Sequence, residues 1–199
     1  MKKFDMIVAG VGGQGVLTVA GVIARAGLAQ GYDIKASEIH GLAMRFGALE
    51  CHLRLGENVY SPLIKKGGAD LIIALEAAET LRACYYASQS TSYVFDTHTT
   101  PSVASYLQKA KYPSIDEIKT ALKKISPQGK IVGVDASLET KKAFGSPIAA
   151  NIYLVGRAAA EGLVPVKKEL LINALAEIFP EKLLEMNKKV FELGYASKK

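Results

Sequence analysis

Cysteine is scarce. Cys51 and Cys84 stand far apart in a chain of 199 residues, with no C-x-x-C between them. Extracellular stapling takes several cysteines, an iron–sulfur cluster takes four thiolates, and structural zinc takes four Cys or His ligands. A disulfide framework and an intrinsic metal centre are therefore not expected, and both sulfurs read as structural. Long apolar runs are missing as well. The stretch VLTVAGVIA, Val16–Ala24, is broken by Thr and Gly and falls short of the ~20 residues that span a bilayer. No basic region leads into an apolar signal core, because the chain passes Asp5 straight into a β-like run. A cytoplasmic location is the expectation, with no membrane partner. Basic residues do not concentrate either. The net charge is +6, yet the lysines are dispersed as pairs such as Lys65/Lys66, Lys123/Lys124 and Lys167/Lys168. Nor do aromatics interleave with them as bases would require, so no nucleic acid is expected. An acidic partner or an anionic cofactor suits this charge better.

The hydrophobic fraction is 49% and the charged fraction 22%, which excludes a disordered chain. This length is enough for one domain, 1–199, with a substantial core. Strand and helix patterns alternate, which predicts an α/β layered fold with a largely parallel sheet. Strands are expected at Phe4–Ala9, Asp33–Ser37, Leu49–Leu55, Ala69–Leu75, Tyr93–Asp96 and Lys130–Asp135. Helices are expected at Gln14–Ala29, Ala77–Tyr86 and Ile115–Ile125, the last opened by a capping box of Ser114 and Glu117. In LECHLRL, Leu49, Cys51, Leu53 and Leu55 alternate with Glu50, His52 and Arg54, which predicts a strand with one buried face and one chemically rich face. Gly56, Glu57 and Asn58 then turn the chain into Val59–Pro62, a hairpin-like excursion foreign to a plain Rossmann succession. From Ser137 the chain reads as helical, with joints at Pro165 and Pro180.

Two stretches carry candidate chemistry. In IVAGVGGQGVLTVAG, Gly10, Gly12 and Gly15 have the G-x-G-x-x-G spacing that wraps a dinucleotide pyrophosphate between a strand and a helix. Gly13 and Gln14 are additions to that pattern, so an NAD site, another anion site and a tight turn under a buried helix all remain open. Gly12 and Gly13 are expected at backbone angles closed to other residues, with free N–H groups near Gln14. The second stretch, SEIHGLAMRFGALECHLR, packs Ser37, Glu38, His40, Arg45, Gly47, His52 and Arg54 into a short span. In a Rossmann reading Glu38 would hold ribose hydroxyls. Arg45 and Arg54 offer permanently charged forks for phosphate or carboxylate, whereas a metal pair of His40 and His52 lacks a third ligand. No nucleophile elbow and no P-loop lysine are present, and no catalytic residue is assigned. Asp96–Thr100 forms a second polar strand end that either borders the same cleft or is a capped loop. Asn151 and Arg157 are isolated polar residues on an apolar helix, bonded within the fold or facing a partner.

Taken in order, GVGGQG (Gly10–Gly15), SEIHG (Ser37–Gly41), Arg45, Gly47, His52–Arg54, VYSPLI (Val59–Ile64), GADLIIALE (Gly68–Glu76) and NIYLVGRAAAEGLVP (Asn151–Pro165) resemble the small gamma-type subunit of 2-oxoacid:ferredoxin oxidoreductases. Asn187 and Gly194 in the final helix extend the likeness to nearly the whole chain. The resemblance implies a three-layer α/β fold like the gamma domain (domain III) of pyruvate:ferredoxin oxidoreductase, with a helical C-terminal part. It implies a subunit, inactive alone, of an enzyme that oxidatively decarboxylates a 2-oxoacid with coenzyme A to acyl-CoA, CO2 and reduced ferredoxin. Within the family the likeness is nearest to enzymes of indolepyruvate, although pyruvate, 2-oxoisovalerate and 2-oxoglutarate enzymes carry similar subunits. Thiamine diphosphate and the iron–sulfur clusters are then expected in a large alpha-type partner subunit, with ferredoxin as electron acceptor and coenzyme A as a shared substrate. Gly10, Gly12, Gly13, Gln14, Gly15, Ser37, Glu38, His40, Arg45, Gly47, His52 and Arg54 are the expected cofactor-facing set. Family members commonly read Gln-Arg-Gly-Gly where this chain has Met44, Arg45, Phe46 and Gly47.

Overall fold

The computed structural model describes residues 3–40, 47–100 and 112–198. Met44, Arg45 and Phe46 thus lie outside the described residues, as does most of Thr99–Tyr112, which reads from sequence as irregular or weakly helical. Six strands form one sheet: β1 (Phe4–Val11), β2 (Asp33–His40), β3 (Ala48–Gly56), β4 (Ala69–Ala74), β5 (Ala87–Asp96) and β6 (Ile131–Val134). Their spatial order is β2-β3-β1-β4-β5-β6. β1 runs parallel to β4, β4 to β5 and β5 to β6, whereas β3 lies antiparallel to both β1 and β2. The sheet is therefore largely parallel, with one reversed strand wedged in.

Apolar residues alternate between two cores, because successive strand side chains point to opposite faces. Met6, Val8, Leu53, Leu71, Ile73 and Val94 face one side. That side is covered by α1 (Val16–Ala29), α5 (Ala150–Ala160), α6 (Lys168–Ile178) and α7 (Glu181–Ala196). Ile7, Ala9, Ile72, Ala74, Tyr93 and Phe95 face the other, against α2 (Ala77–Ala83) and α3 (Ile115–Ile125). A short α4 (Ala136–Phe144) follows β6. This is a helix–sheet–helix sandwich, as expected of strands that are apolar on both faces.

Local signals account for the helix ends. Ser114 Oγ accepts from the Glu117 N–H at 3.2 Å, and the Ser114 N–H donates back to Glu117 at 2.7 Å, which is the predicted capping box. At the C-terminal end, α5 and α7 cross at backbone distance. A Cβ on Gly156 would lie 2.1 Å from the Phe191 carbonyl oxygen, and one on Gly194 would lie 2.1 Å from that of Tyr153. Only glycine fits at either point.

Three expectations are revised. Val59–Pro62 forms no strand; the antiparallel partners of β3 are β2 and β1, Glu38 opposing Cys51 and Ala9 opposing Glu50. β5 begins at Ala87, well before Tyr93. Its first half is serine-rich, and a register shift separates it from the second half. α1 begins at Val16, because Gly15 is its N-cap in the left-handed region at φ 87°.

Candidate functional site

The carboxyl end of β1 runs into the glycine loop. The Gly12 N–H donates to the Gly47 carbonyl at 2.9 Å, which ties the loop to the start of β3. Gln14 folds back on the strand, its Oε1 accepting from the Val11 N–H at 2.8 Å while its own N–H reaches the Val11 carbonyl at 3.1 Å. The loop glycines have different jobs. Gly10 is pressed by its neighbours, since a Cβ there would sit 2.9 Å from both Gln14 Oε1 and Val16 Cγ2. Gly15 combines a φ of 87° with the Asn151 amide lying 2.3 Å from a would-be Cβ. Gly13 also has a positive φ, 102°, but nothing lies within 4 Å of its Cβ position. Thus Gly13 and Gly15, rather than Gly12 and Gly13, occupy the left-handed region.

α1 has no side chain capping its N-terminus. The Gln14 N–H, expected to be free, is bonded inside the protein, but the start of α1 borders open space through Gly15 and Thr18, and a helix start carries partial positive charge. Two adjoining hollows meet there. One, of about 220 Å³, is lined by Gly13, Gln14, Asp96, His98, Ser137 and Asn151 among others. The second, of about 270 Å³, takes in Gly13, Gly15, Thr18, Asn151, Met186 and Asn187. Ile148 borders both and is 77% exposed. The cleft therefore opens beyond the carboxyl ends of parallel strands, the usual ligand position of such sheets.

The Asp96 strand end does border the cleft, and it is capped as well. Its buried carboxylate accepts from the N–H groups of His98, Ala136 and Ser137 at 2.9, 3.1 and 3.1 Å and from the Ser137 hydroxyl at 2.6 Å. Burial raises its pKa, with the Ser137 and His98 bonds opposing. Asn151 lies at the cleft against Gly15, whereas Arg157 points away and pairs with Glu161 at 2.8 Å.

The polar stretch from Ser37 to Arg54 is distributed rather than gathered. Gly47 meets the loop through its carbonyl. Glu38 lies on the α1 side of edge strand β2, beside a groove with Ala20, Gly21 and Cys51. A reversed strand separates β2 from β1, so Glu38 cannot take the place that a Rossmann fold gives its ribose-binding acid. Burial, with Glu38 second, raises the Cys51 thiol to about 11. Ser37 opposes His52 across the β2–β3 ladder. His52 is buried, its Nδ1 accepting from the Ile64 N–H at 3.0 Å and its ring edge-on to Tyr86 at 4.7 Å. Burial, and after it Arg54, lowers its pKa. Glu50 bonds Tyr86, and burial raises its pKa.

Arg54 sits near the opposite end of β1. Its guanidinium contacts Asp5 at 2.9 Å and donates to the carbonyls of Ser61 and Leu63 at 2.7 and 3.1 Å. Asp5 lies seven residues before Gly12, roughly 20 Å along the strand. His40 and Arg45 divide differently: the backbone of His40 ends β2 level with Gly10, and Arg45 lies outside the described residues. Leu75, Ser137, Pro147 and Ile148 complete the cleft without a sequence signal of their own. The strand-end rule for parallel sheets is what could have found them.

Among the described residues no group of three His, Cys, Asp or Glu is placed to hold a metal, and no helix is long and apolar enough to cross a membrane.

A family model described as pyruvate ferredoxin/flavodoxin oxidoreductase matches residues 5–197. The chain is 39% identical over 195 residues to indolepyruvate oxidoreductase subunit IorB of Archaeoglobus fulgidus, covering 97% of this chain and 94% of that one. With the subunit of the same name from Pyrococcus horikoshii it shares 32% over 199 residues, 100% of this chain and 98% of the other. In structure it is similar to 2-oxoglutarate:ferredoxin oxidoreductase from Magnetococcus marinus, at TM-score 0.74 and 18% identity over 98% of this chain and 31% of that one. It is likewise similar to pyruvate oxidoreductase subunit PORC from Thermotoga maritima, at TM-score 0.71 and 19% identity over 98% and 97%. The gamma-like fold expected from the motifs is the fold observed, and the chain belongs to the pyruvate ferredoxin/flavodoxin oxidoreductase family.

Proposed function

We propose that the chain is the small subunit of a 2-oxoacid:ferredoxin oxidoreductase acting on indolepyruvate or a related aryl-pyruvate, with coenzyme A as the acyl acceptor. The aryl-pyruvate loses CO2, its acyl group passes to the coenzyme A thiol, and the electrons released pass to ferredoxin. The observation that carries the substrate class is the 39% identity, along nearly the full chain, to a subunit named for indolepyruvate. Thiamine diphosphate and the iron–sulfur clusters are assigned to a large partner subunit. Cys51 is buried and Cys84 half-buried, and burial raises both thiols to about 11, so this chain lacks the thiolate set a cluster needs.

The chain's own contribution is the cleft around Gly13. It presents backbone N–H groups and the positive end of α1 to an anionic group of coenzyme A, and nothing fills the space above Gly13. Arg45 is assigned as a second contact. The described residues that flank its segment, His40 and Gly47, both lie at this end of the sheet.

Co-expression with the large thiamine-dependent subunit, followed by ferredoxin or dye reduction over a panel of 2-oxoacids, tests this. Aryl-pyruvates should show the highest kcat/KM, and this chain alone should be colourless and inactive. A tenfold preference for pyruvate or 2-oxoglutarate would overturn the substrate assignment. In the assembled enzyme Arg45→Ala should raise the apparent requirement for coenzyme A roughly tenfold or more.

A further inference from the structure

The sheet has two open edges, and they are protected differently. β2 carries Asp33, Lys35 and Glu38 along its length, the charged composition that discourages strands from pairing with another chain. β6 reads Ile-Val-Gly-Val, without a charge, proline or bulge. Lys130 and Val134 turn their carbonyls toward β5, accepting from the N–H groups of Tyr93 at 2.7 Å and Thr97 at 2.8 Å. By the alternation of a parallel ladder, the N–H and C=O groups of Ile131 and Gly133 point to the outer side. Among the described residues no strand pairs with them there.

Cations flank this edge from both layers. A hollow of about 610 Å³ along β6 is lined by Lys119 and Lys123 of α3 on one side and by Lys130, Arg157 and Lys198 on the other, with Glu161 its one carboxylate. Glu161 is already committed to Lys130 and Arg157. Burial would raise its pKa, but Lys130, Arg157 and Lys198 prevail and hold it below the usual carboxylate value. Lys123 donates to the Pro127 carbonyl at 2.8 Å and Lys198 to the Ala160 carbonyl at 2.7 Å. Lysines on an edge strand itself would repel an added strand. Here they stand beside the strand, Lys119 and Lys123 on α3, Lys130 just before β6 and Lys198 just past α7, and none lies within β6 itself.

We propose that β6 accepts an extended acidic segment of a partner polypeptide as a further strand. Its backbone would pair with Ile131 and Gly133, and its carboxylates would alternate toward Lys119 and Lys123 on one face and toward Lys130, Arg157 and Lys198 on the other.

The test uses the full chain and a fluorescent heptapeptide Val-Glu-Glu-Val-Glu-Glu-Val, whose carboxylates fall on both faces of a strand, with a second peptide N-methylated at every other amide. Binding is followed by anisotropy, and amide protection by hydrogen-exchange NMR. The unmodified peptide should bind, slow exchange at Ile131 and Gly133, and weaken roughly tenfold or more on N-methylation and in the Lys119→Glu/Lys123→Glu variant. Three results would overturn the proposal: no binding, equal binding of the N-methylated peptide, or binding without protection of those two amides. If inorganic pyrophosphate occupies the groove and the peptide does not, the site takes a small anion instead, and the proposal falls.

Discussion

The two ends of β1 are built from the same strand and the same neighbour, β3, and they are finished in opposite ways. At the amino end Asp5, Arg54 and Asp70 form a closed polar network. Asp5 holds Arg54 and Lys3, its N–H reaches Asp70 at 2.8 Å, and Arg54 closes on two further carbonyls. At the carboxyl end the helix start is uncapped, Gly13 faces open space, and the adjoining hollows reach toward Asp96 and Asn151. A closed polar network in low dielectric stabilises the fold and resists change. An open set of backbone donors stabilises nothing until a ligand or partner arrives. Stability belongs to one end, and the other is the end proposed to bind.

The sharpest break would come from Arg54→Leu. It leaves the Asp5 carboxylate buried, with Lys3 at 3.0 Å as its remaining cation. Removing one partner of a buried pair typically costs about 3–5 kcal/mol. At this chain length that is roughly 10 °C in Tm, read by thermal unfolding. The requirement of the assembled enzyme for coenzyme A should not move. A variant of normal stability that needed more coenzyme A would reverse the assignment of the two ends.

Gly15→Ala comes next. The positive φ and the Asn151 overlap should together destabilise by about 2–4 kcal/mol. The double variant Gly15→Ala/Asn151→Ala should recover the overlap part and leave the backbone strain, as a double-mutant cycle in urea would measure. No recovery would mean that Asn151 does not press on the loop.

His52 supplies a pH-dependent arm. Its pKa is lower in the folded protein than the ordinary 6.5, so at mildly acidic pH the unfolded chain binds the proton more readily. The stability tied to its neutral form is present above about 6.5 and is lost as pH falls toward the folded pKa. The slope should not exceed ~1.4 kcal/mol per pH unit for one proton. His52→Gln keeps an acceptor for the Ile64 N–H and should flatten this part of the urea-midpoint profile between pH 7 and 5. An unchanged profile would place the titration elsewhere.

Gly13→Ala has the smallest structural effect, roughly 1 kcal/mol from backbone strain, because its Cβ meets open space. Its effect should fall on function: near-normal melting and assembly, with a raised coenzyme A requirement in steady-state kinetics. Loss of stability equal to that of Gly15→Ala, with kinetics intact, would make the loop a packing device throughout.

Much of this was legible in the sequence because it is local. The two apolar phases of β1, the Ser114–Glu117 capping box and the strand pattern of LECHLRL depend on neighbours within a few residues, and each element formed. So did the strand–glycine–helix order that makes the loop. The serine-rich start of β5 was not legible, since its Thr91 hydroxyl and backbone find partners on a different strand, Ala69 among them at 2.5 Å. The roles of the charged residues were legible only in part. Arg54 as a fork for an anion was a sound inference from chemistry, but its anion is Asp5, 49 residues away.

By itself, then, the sequence determined which segments become strands and helices, which faces are apolar, and the family to which the chain belongs. These follow from periodicity, caps and an ordered set of motifs. Only the tertiary structure decided that β3 reverses and inserts between β2 and β1, displacing Glu38 from the glycine loop and carrying Arg54 to the far end. Strand order is set by which apolar faces bury best together, a sum over distant segments that no local window contains. For the same reason it was the fold that gathered Gly13, Asp96, Ile148 and Asn151 around one cleft, and that left β6 uncharged at an open edge among lysines.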